Sequence, residues 1–254
     1  MIYKNIYAII NKTSKITQTI YKGKMYRAFK AVLDGIISFF GVLFLSPLFL
    51  LVSLIIVIDS PGKPIFRQER VGKNQKVFLM YKFRTMKTTD VPFDVKHPVI
   101  KNDNANLTRA GKWIRRFKLD EFLQLLNVLR GEMSLIGPRP LKVEYLNYYE
   151  PWELQKFAVR PGMSGLAQVR GNGHLSSKER SYYDVQYAKH RTFKLDVEIF
   201  FKTIRVVFGG EDKYIRHVSE KNMRRVIIEF ARLDTAEEIE EQEALRMQQG
   251  NPRK

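Results

Sequence analysis

The chain has 254 residues, which suits one large domain or two small ones. Its 44 Lys and Arg outnumber 26 Asp and Glu, a net charge of +18 that points to a polyanionic partner: nucleic acid, an anionic membrane surface or phosphorylated substrates. The absence of cysteine excludes a disulfide framework, a thiol nucleophile and any Cys-ligated metal site.

Residues 1–30 read as a basic N-terminal arm dotted with Ile and Tyr, and an interfacial helix or a loose arm are both open. Ile36–Ile58 then runs for 23 residues without a charge, long enough at ~1.5 Å per residue to cross a bilayer core. Pro47 stands at its centre, where a helix needs a backbone donor, so a kink or break is expected at Ser46-Pro47. The Ser46 hydroxyl can compensate a freed carbonyl. Lys22, Lys24, Arg27 and Lys30 flank the apolar run on one side, and Lys63, Arg67, Arg70 and Lys73 on the other. Both flanks therefore want the cytoplasmic face, which a re-entrant helix–break–helix over 31–59 satisfies and a simple span does not.

Beyond Pro64, residues 65–71 and 77–85 around a Gly-Lys-Asn-Gln turn predict a β-hairpin, and 87–108 a long loop. The apolar spacing from Arg109 to Arg130 predicts one helix ended by Gly131. A continuous helix would put Arg116, Asp120, Gln124 and Asn127 on one face; a helix starting near Leu119 would put Asp120 and Glu121 at its positive end. Residues 141–158 read as helical, with Pro151 opening a second piece. Two amphipathic helices follow at 177–190 and 193–208, the second suited either to core packing or to lying on an anionic membrane. Residues 211–254 form a C-terminal extension with an acidic helical tail.

The adjacent carboxylates of Asp120-Glu121 and the proline-held Arg139 of Gly137-Pro138-Arg139-Pro140 are the local features suited to phosphate chemistry. Arg160-Pro161-Gly162-Met163-Ser164-Gly165 adds a second Arg with backbone N–H groups able to approach an anion. No P-loop, dinucleotide fingerprint, nucleophile elbow or HExxH occurs, and four scattered histidines lack metal-ligand spacing.

Taken in order, Ser46-Pro47, PIFRQERVGKNQKVFLMYKFRTM (64–86), LTRAGKWIRRFKLDEFLQLLNVLRGEMSLIGPRPL (107–141), RPGMSGLAQVRGN (160–172) and YDVQYAKHRTFKLDVEIFFKT (183–203) resemble the bacterial sugar transferase family. These are monotopic polyprenyl-phosphate phosphoglycosyl transferases, and the chain is similar to their short form. The resemblance implies an α/β, mainly helical protein: a re-entrant membrane helix plus a small cytoplasmic catalytic domain over 60–210, with a hairpin and interfacial helices. It implies transfer of a sugar-1-phosphate from a UDP-sugar to polyprenyl (undecaprenyl) phosphate at the cytoplasmic face of the bacterial inner membrane, with release of UMP. It further implies Asp120 as nucleophile with Glu121 completing a dyad, Mg²⁺ held by Asp120 and Glu121, and phosphate-binding roles for Arg115, Arg139 and Arg160. Anionic membrane lipids are expected partners. Nucleic acid is not, because the cations are spread and no nucleic-acid motif is present. The competing reading is a membrane-tethered basic binding or scaffold protein without catalysis.

Overall fold

The computed structural model describes residues 24–87 and 106–249, with Lys24 and 236–249 as backbone alone. Residues 1–23 of the arm expected over 1–30, most of the loop expected at 87–108, and the last residues of the tail lie outside the described residues.

Helix α1, Lys24–Asp59, runs for 36 residues and begins seven residues before the segment expected at 31–59. Its helical residues continue through Pro47, so of the kink or break expected there no interruption of the helix is present, while a bend is compatible with a continuous helix. The local chemistry explains the continuity. Pro47 has no N–H to give the carbonyl four residues back, and the Ser46 hydroxyl donates to that carbonyl, Leu43 O, at 2.8 Å. The helix is long and apolar enough to cross a bilayer, and only 11% of its most apolar stretch is buried against the rest of the chain. A soluble core helix would bury most of that surface.

What α1 does bury fastens it to the domain along its whole length. Tyr26 Oη and Lys30 Nζ donate to Asp196 at 2.6 and 2.7 Å. Ser134 Oγ donates to Asp34 at 2.6 Å. Val52 and Ile56 are buried with Phe83, Ile114 and Leu123. At the far end, Asp59 accepts from the Ala110 backbone N–H at 2.9 Å.

The hairpin is antiparallel, β1 Ile65–Val71 with β2 Val77–Phe83, in a register from Ile65↔Phe83 to Val71↔Val77. Asn74 and Gln75 take positive φ in its turn, a conformation Asn tolerates well. Helix α2, Arg109–Arg116, starts at a Thr108 cap whose Oγ1 accepts from the Gly111 N–H at 2.9 Å. Helix α3, Leu125–Leu129, follows a 3-10 helix at Leu119–Gln124. The single helix expected over 109–130 is thus three pieces, because Lys118 turns into the left-handed region (φ 56).

A short parallel pair, β3 Ser134–Ile136 and β4 Gly162–Ser164, was not visible in the sequence. It brings the Gly137–Pro140 and Arg160–Gly165 segments together. At Gly162 a side chain has no room, since a Cβ would lie 2.0 Å from the Gly137 nitrogen. Residues 143–148 and 151–158 form 3-10 helices, with Pro151 opening the second as expected. Helices α4 Ser177–His190, α5 Phe193–Gly209 and α6 Glu220–Gln249 complete the chain. Helix α5 turns Asp196, Ile199 and Val206 inward. It leaves Phe193, Val197, Phe200, Phe201, Ile204 and Phe208 exposed, and Phe193 meets Phe29 of α1 edge-on at 5.6 Å. The apolar faces of α1 and α5 are therefore continuous, which favours the membrane-lying reading of this helix over core packing alone.

Candidate active site

The left-handed turn at Lys118 creates a new helix start, so Asp120 and Glu121 occupy the first turn of the 3-10 helix. Their neighbours converge from other elements. Glu121 Oε1 accepts from Lys82 Nζ of β2 at 2.8 Å and from Arg139 Nη2 at 3.0 Å. Burial alone would raise the Glu121 carboxyl, but Lys82 and then Arg139 overcome it and hold the group far below the ordinary carboxylate range. Glu121 in turn pushes the Arg139 guanidinium up.

Asp120 has the opposite character. It is 6% exposed and forms no hydrogen bond or ion pair among the described residues. Burial pushes its carboxyl up, with the Glu121 charge adding to the effect, while Lys82, Arg115 and Lys118 pull it back. One carboxylate of the dyad gathers the cations, and the other is left with a free oxygen.

The supports are equally specific. Asn127, fully buried, donates to Leu79 O and to Glu132 Oε2 at 2.7 Å each, and its Oδ1 accepts from the Tyr81 N–H at 3.1 Å. It fixes β2, and hence Lys82, against α3. Arg70 Nη1 donates to Pro140 O at 3.3 Å, tying β1 to the loop that carries Arg139; burial and the nearby Arg139 push this guanidinium down to about 10. Lys118 Nζ bonds Glu211 Oε1 at 3.1 Å, and Asn172 Nδ2 donates to the same carboxylate at 3.2 Å. Lys82, Arg70 and Glu211 were missed by reasoning from the sequence, and Asn127 was placed on a face with Asp120 but not as a support of β2. Lys82, Arg70 and Asn127 stand inside the motif strings quoted above, but nothing in the spacing shows that Lys82 and Arg70 converge on the dyad.

Of the expected site residues, Asp120, Glu121 and Arg139 meet directly. Arg115 lies close enough to depress the Asp120 carboxyl, and its buried Nη1 has no partner. Arg160 does not join them: its guanidinium lies beside Gly131 and lines a separate cavity under the first turns of α1. Ser46 and Pro47 are in mid-α1.

For Mg²⁺ the donor set is short, since no cluster of three acidic or histidine side chains occurs among the described residues. The ion nevertheless suits such a site, because it commonly takes one or two carboxylates together with substrate phosphates and water. The unpartnered Asp120 oxygens fit that demand better than Glu121, which two cations already hold.

Asp184 of α4 anchors the same region. It faces the Arg139 backbone N–H and lies 3.9 Å from the buried Lys156 Nζ. Burial pushes its carboxyl up to about 6, against the pull of Lys156 and Arg180. Its unfolded value is about 3.9, so between those pH values the folded chain holds a proton that the unfolded chain releases. Folding stability should therefore fall by on the order of 2–3 kcal/mol as pH rises from ~4 to ~6. Thermal unfolding of the wild type and of Asp184→Asn across this range checks it. The difference between the two should change over that window, and a pH-independent difference would contradict the assignment.

The fold thus joins a helix long and apolar enough to cross a bilayer to a basic domain in which an Asp-Glu pair sits among cations. The chain belongs to the bacterial sugar transferase family, which it matches over residues 25–210. It is 35% identical over 193 residues to a UDP-N-acetylgalactosamine-undecaprenyl-phosphate N-acetylgalactosaminephosphotransferase of Aeromonas hydrophila, covering 73% of this chain and 45% of that protein. A UDP-glucose:undecaprenyl-phosphate glucose-1-phosphate transferase of Xanthomonas campestris pv. campestris is 36% identical over 193 residues, 73% of this chain and 40% of that one. A protein of the same description from Caulobacter vibrioides is 35% identical over 193 residues, 73% and 72% of the two chains. The match thus spans less than half the length of the first two relatives.

Proposed function

We propose that this chain transfers a sugar-1-phosphate from a UDP-sugar to polyprenyl phosphate at the cytoplasmic face of the bacterial inner membrane, releasing UMP through a covalent phosphosugar on Asp120. The observation that carries the reading is the division of the dyad: Glu121 engages Lys82 and Arg139 while Asp120 stays buried and unpaired among cations. The family and the substrates named for its relatives supply the rest.

In the first step an Asp120 carboxylate oxygen attacks the phosphorus that bears the sugar. An acyl-phosphate bond forms, the diphosphate bond breaks, and UMP leaves with the bonding electron pair. In the second step an oxygen of polyprenyl phosphate attacks the same phosphorus and Asp120 leaves as a free carboxylate. A carboxylate approaching a diphosphate needs cations around it, which Lys82, Arg115, Lys118 and Arg139 provide; Arg139 is 41% exposed and able to turn to substrate. Mg²⁺, held by Asp120 and Glu121, would neutralise phosphate charge. The test is a screen of UDP-sugars with Mg²⁺ and polyprenyl phosphate: UMP release with one of them is expected, and none with any would sink the reading.

The membrane reading is a re-entrant α1. The domain grips both ends, Tyr26 and Lys30 at one and Asp59 at the other, which favours both ends on one side of the bilayer. The basic flanks make that side cytoplasmic. The exposed Trp113 and Phe117, stacked at 6.1 Å, and the apolar face of α5 suit the interface. Single cysteines near Lys24 and Lys73 should both resist a membrane-impermeant maleimide in intact cells and react once the inner membrane is opened. Labelling of only one in intact cells would establish a spanning helix.

A further inference from the structure

Away from the dyad, a cavity of about 80 Å³ separates the first turns of α1 from the domain. Five cations from four separate places converge on it: Arg27 and Lys30 of α1, Lys73 of the hairpin turn, Arg160 of the segment before β4, and Arg191 between α4 and α5. Asp34 is the one carboxylate on its wall. The nearby Asp196 is already taken, by Tyr26, Lys30 and Tyr187 at 2.6 to 2.7 Å. Asp34 in turn accepts from Ser134 and lies 3.6 Å from Lys30.

Once those pairs are drawn, the side chains of Lys73 and Arg160 are left with no hydrogen bond or ion pair among the described residues. Burial pushes the Lys73 ammonium down, and Arg160, Arg191 and Arg27 push it further, so positive charge is crowded around this ammonium. Like charges brought together from distant parts of a chain repel unless an anion sits between them. The centre is distinct from the dyad: Lys73 and Lys82 flank five residues of β2, roughly 17 Å at ~3.3 Å per residue. Its lining residues Lys30 and Arg191 are close in sequence to Phe29 and Phe193, whose edge-on contact at 5.6 Å joins the apolar faces of α1 and α5.

We infer that this cavity binds a lipid-borne phosphate ester, and specifically the headgroup phosphate of an anionic phospholipid, which clamps the entry of α1 at the membrane surface. Arg160, which motif reading attached to the substrate phosphates, belongs to this clamp. Two or more charge-assisted hydrogen bonds from Lys73 and Arg160 would hold the phosphate. The location at the first turns of an apolar helix selects a lipid over a soluble nucleotide, and the two cations without a side-chain partner, Lys73 and Arg160, select an anionic lipid.

The inference rests on the membrane reading above, which flotation of the wild-type chain with phosphatidylcholine vesicles checks separately. The test itself is native mass spectrometry of the full chain in mild detergent with phosphatidylglycerol, phosphatidylcholine or polyprenyl phosphate. Wild type should retain one phosphatidylglycerol, Lys73→Gln should weaken that retention about tenfold, and Lys73→Arg should restore it. Phosphatidylcholine and polyprenyl phosphate should respond little to either change. Equal phosphatidylglycerol retention by wild type and Lys73→Gln would overturn the inference. A loss confined to polyprenyl phosphate would overturn the phospholipid assignment in favour of the acceptor lipid.

Discussion

Asp120→Asn should reduce sugar-phosphate transfer by at least about a thousandfold, roughly 4 kcal/mol of barrier, while the protein folds and floats with membranes as before. The amide has the carboxylate's shape but no anionic oxygen to form an acyl-phosphate. Stability makes the prediction two-sided. Burial and the Glu121 charge push the Asp120 carboxyl up, so ionising it in the folded state is costly. Removing that charge should leave the unfolding temperature unchanged or raise it. An inactive variant that also unfolds early would mean Asp120 holds the fold; one that keeps more than a few per cent of turnover would place the nucleophile elsewhere.

Glu121→Gln is the second large effect, and it should separate binding from chemistry. Lys82 and Arg139 now share one Glu121 oxygen at 2.8 and 3.0 Å. Without that carboxylate the two cations have Asp120 as the nearest acid, and the free nucleophile becomes a paired one. Breaking such a pair to attack costs about 1.5–3 kcal/mol per charged hydrogen bond, so kcat should fall about a hundredfold or more. The freed cations meanwhile favour a diphosphate, so KM for the UDP-sugar should hold steady or drop. Steady-state kinetics of UMP release measures both. A rise in KM at constant kcat would show that Glu121 serves substrate binding and not the reactivity of its neighbour.

The elements that the sequence predicted well were those governed by local rules. The hairpin follows from alternation around Asn74, and its strands fall at 65–71 and 77–83. Helices α4 and α5 start at Ser176 and Thr192, whose hydroxyls accept from N–H groups three residues on. The break at Lys118 was not legible, because Lys has no preference for positive φ and apolar spacing runs on across it. That break sets the dyad at a helix start. The β3–β4 pair was hidden by its three-residue strands, and it is the contact of Gly162 with Gly137 that aligns the loop bearing Arg139.

The site divides in the same way. Asp120, Glu121 and Arg139 could be named from motif strings, whereas Lys82 reaches Glu121 across 39 positions and depends on Asn127 to hold β2 in place. Arg160 shows the reverse case. Its motif resembles the Arg139 segment, and the backbones of the two do meet, but its guanidinium lies in the cavity under α1. At Pro47 the proline rule was right about the missing donor, and Ser46 supplies the expected compensating bond, to Leu43, within a helix that has no interruption.

The central claim is that Asp120 carries the phosphosugar between two substrates. Intact-mass measurement of the purified chain with its UDP-sugar and Mg²⁺, in the absence of polyprenyl phosphate, tests it most directly. One equivalent of UMP should appear, the chain should gain the mass of one sugar phosphate on the peptide containing Asp120, and added polyprenyl phosphate should discharge it. UMP release that requires the acceptor, with no mass gain at any time, would contradict the covalent account.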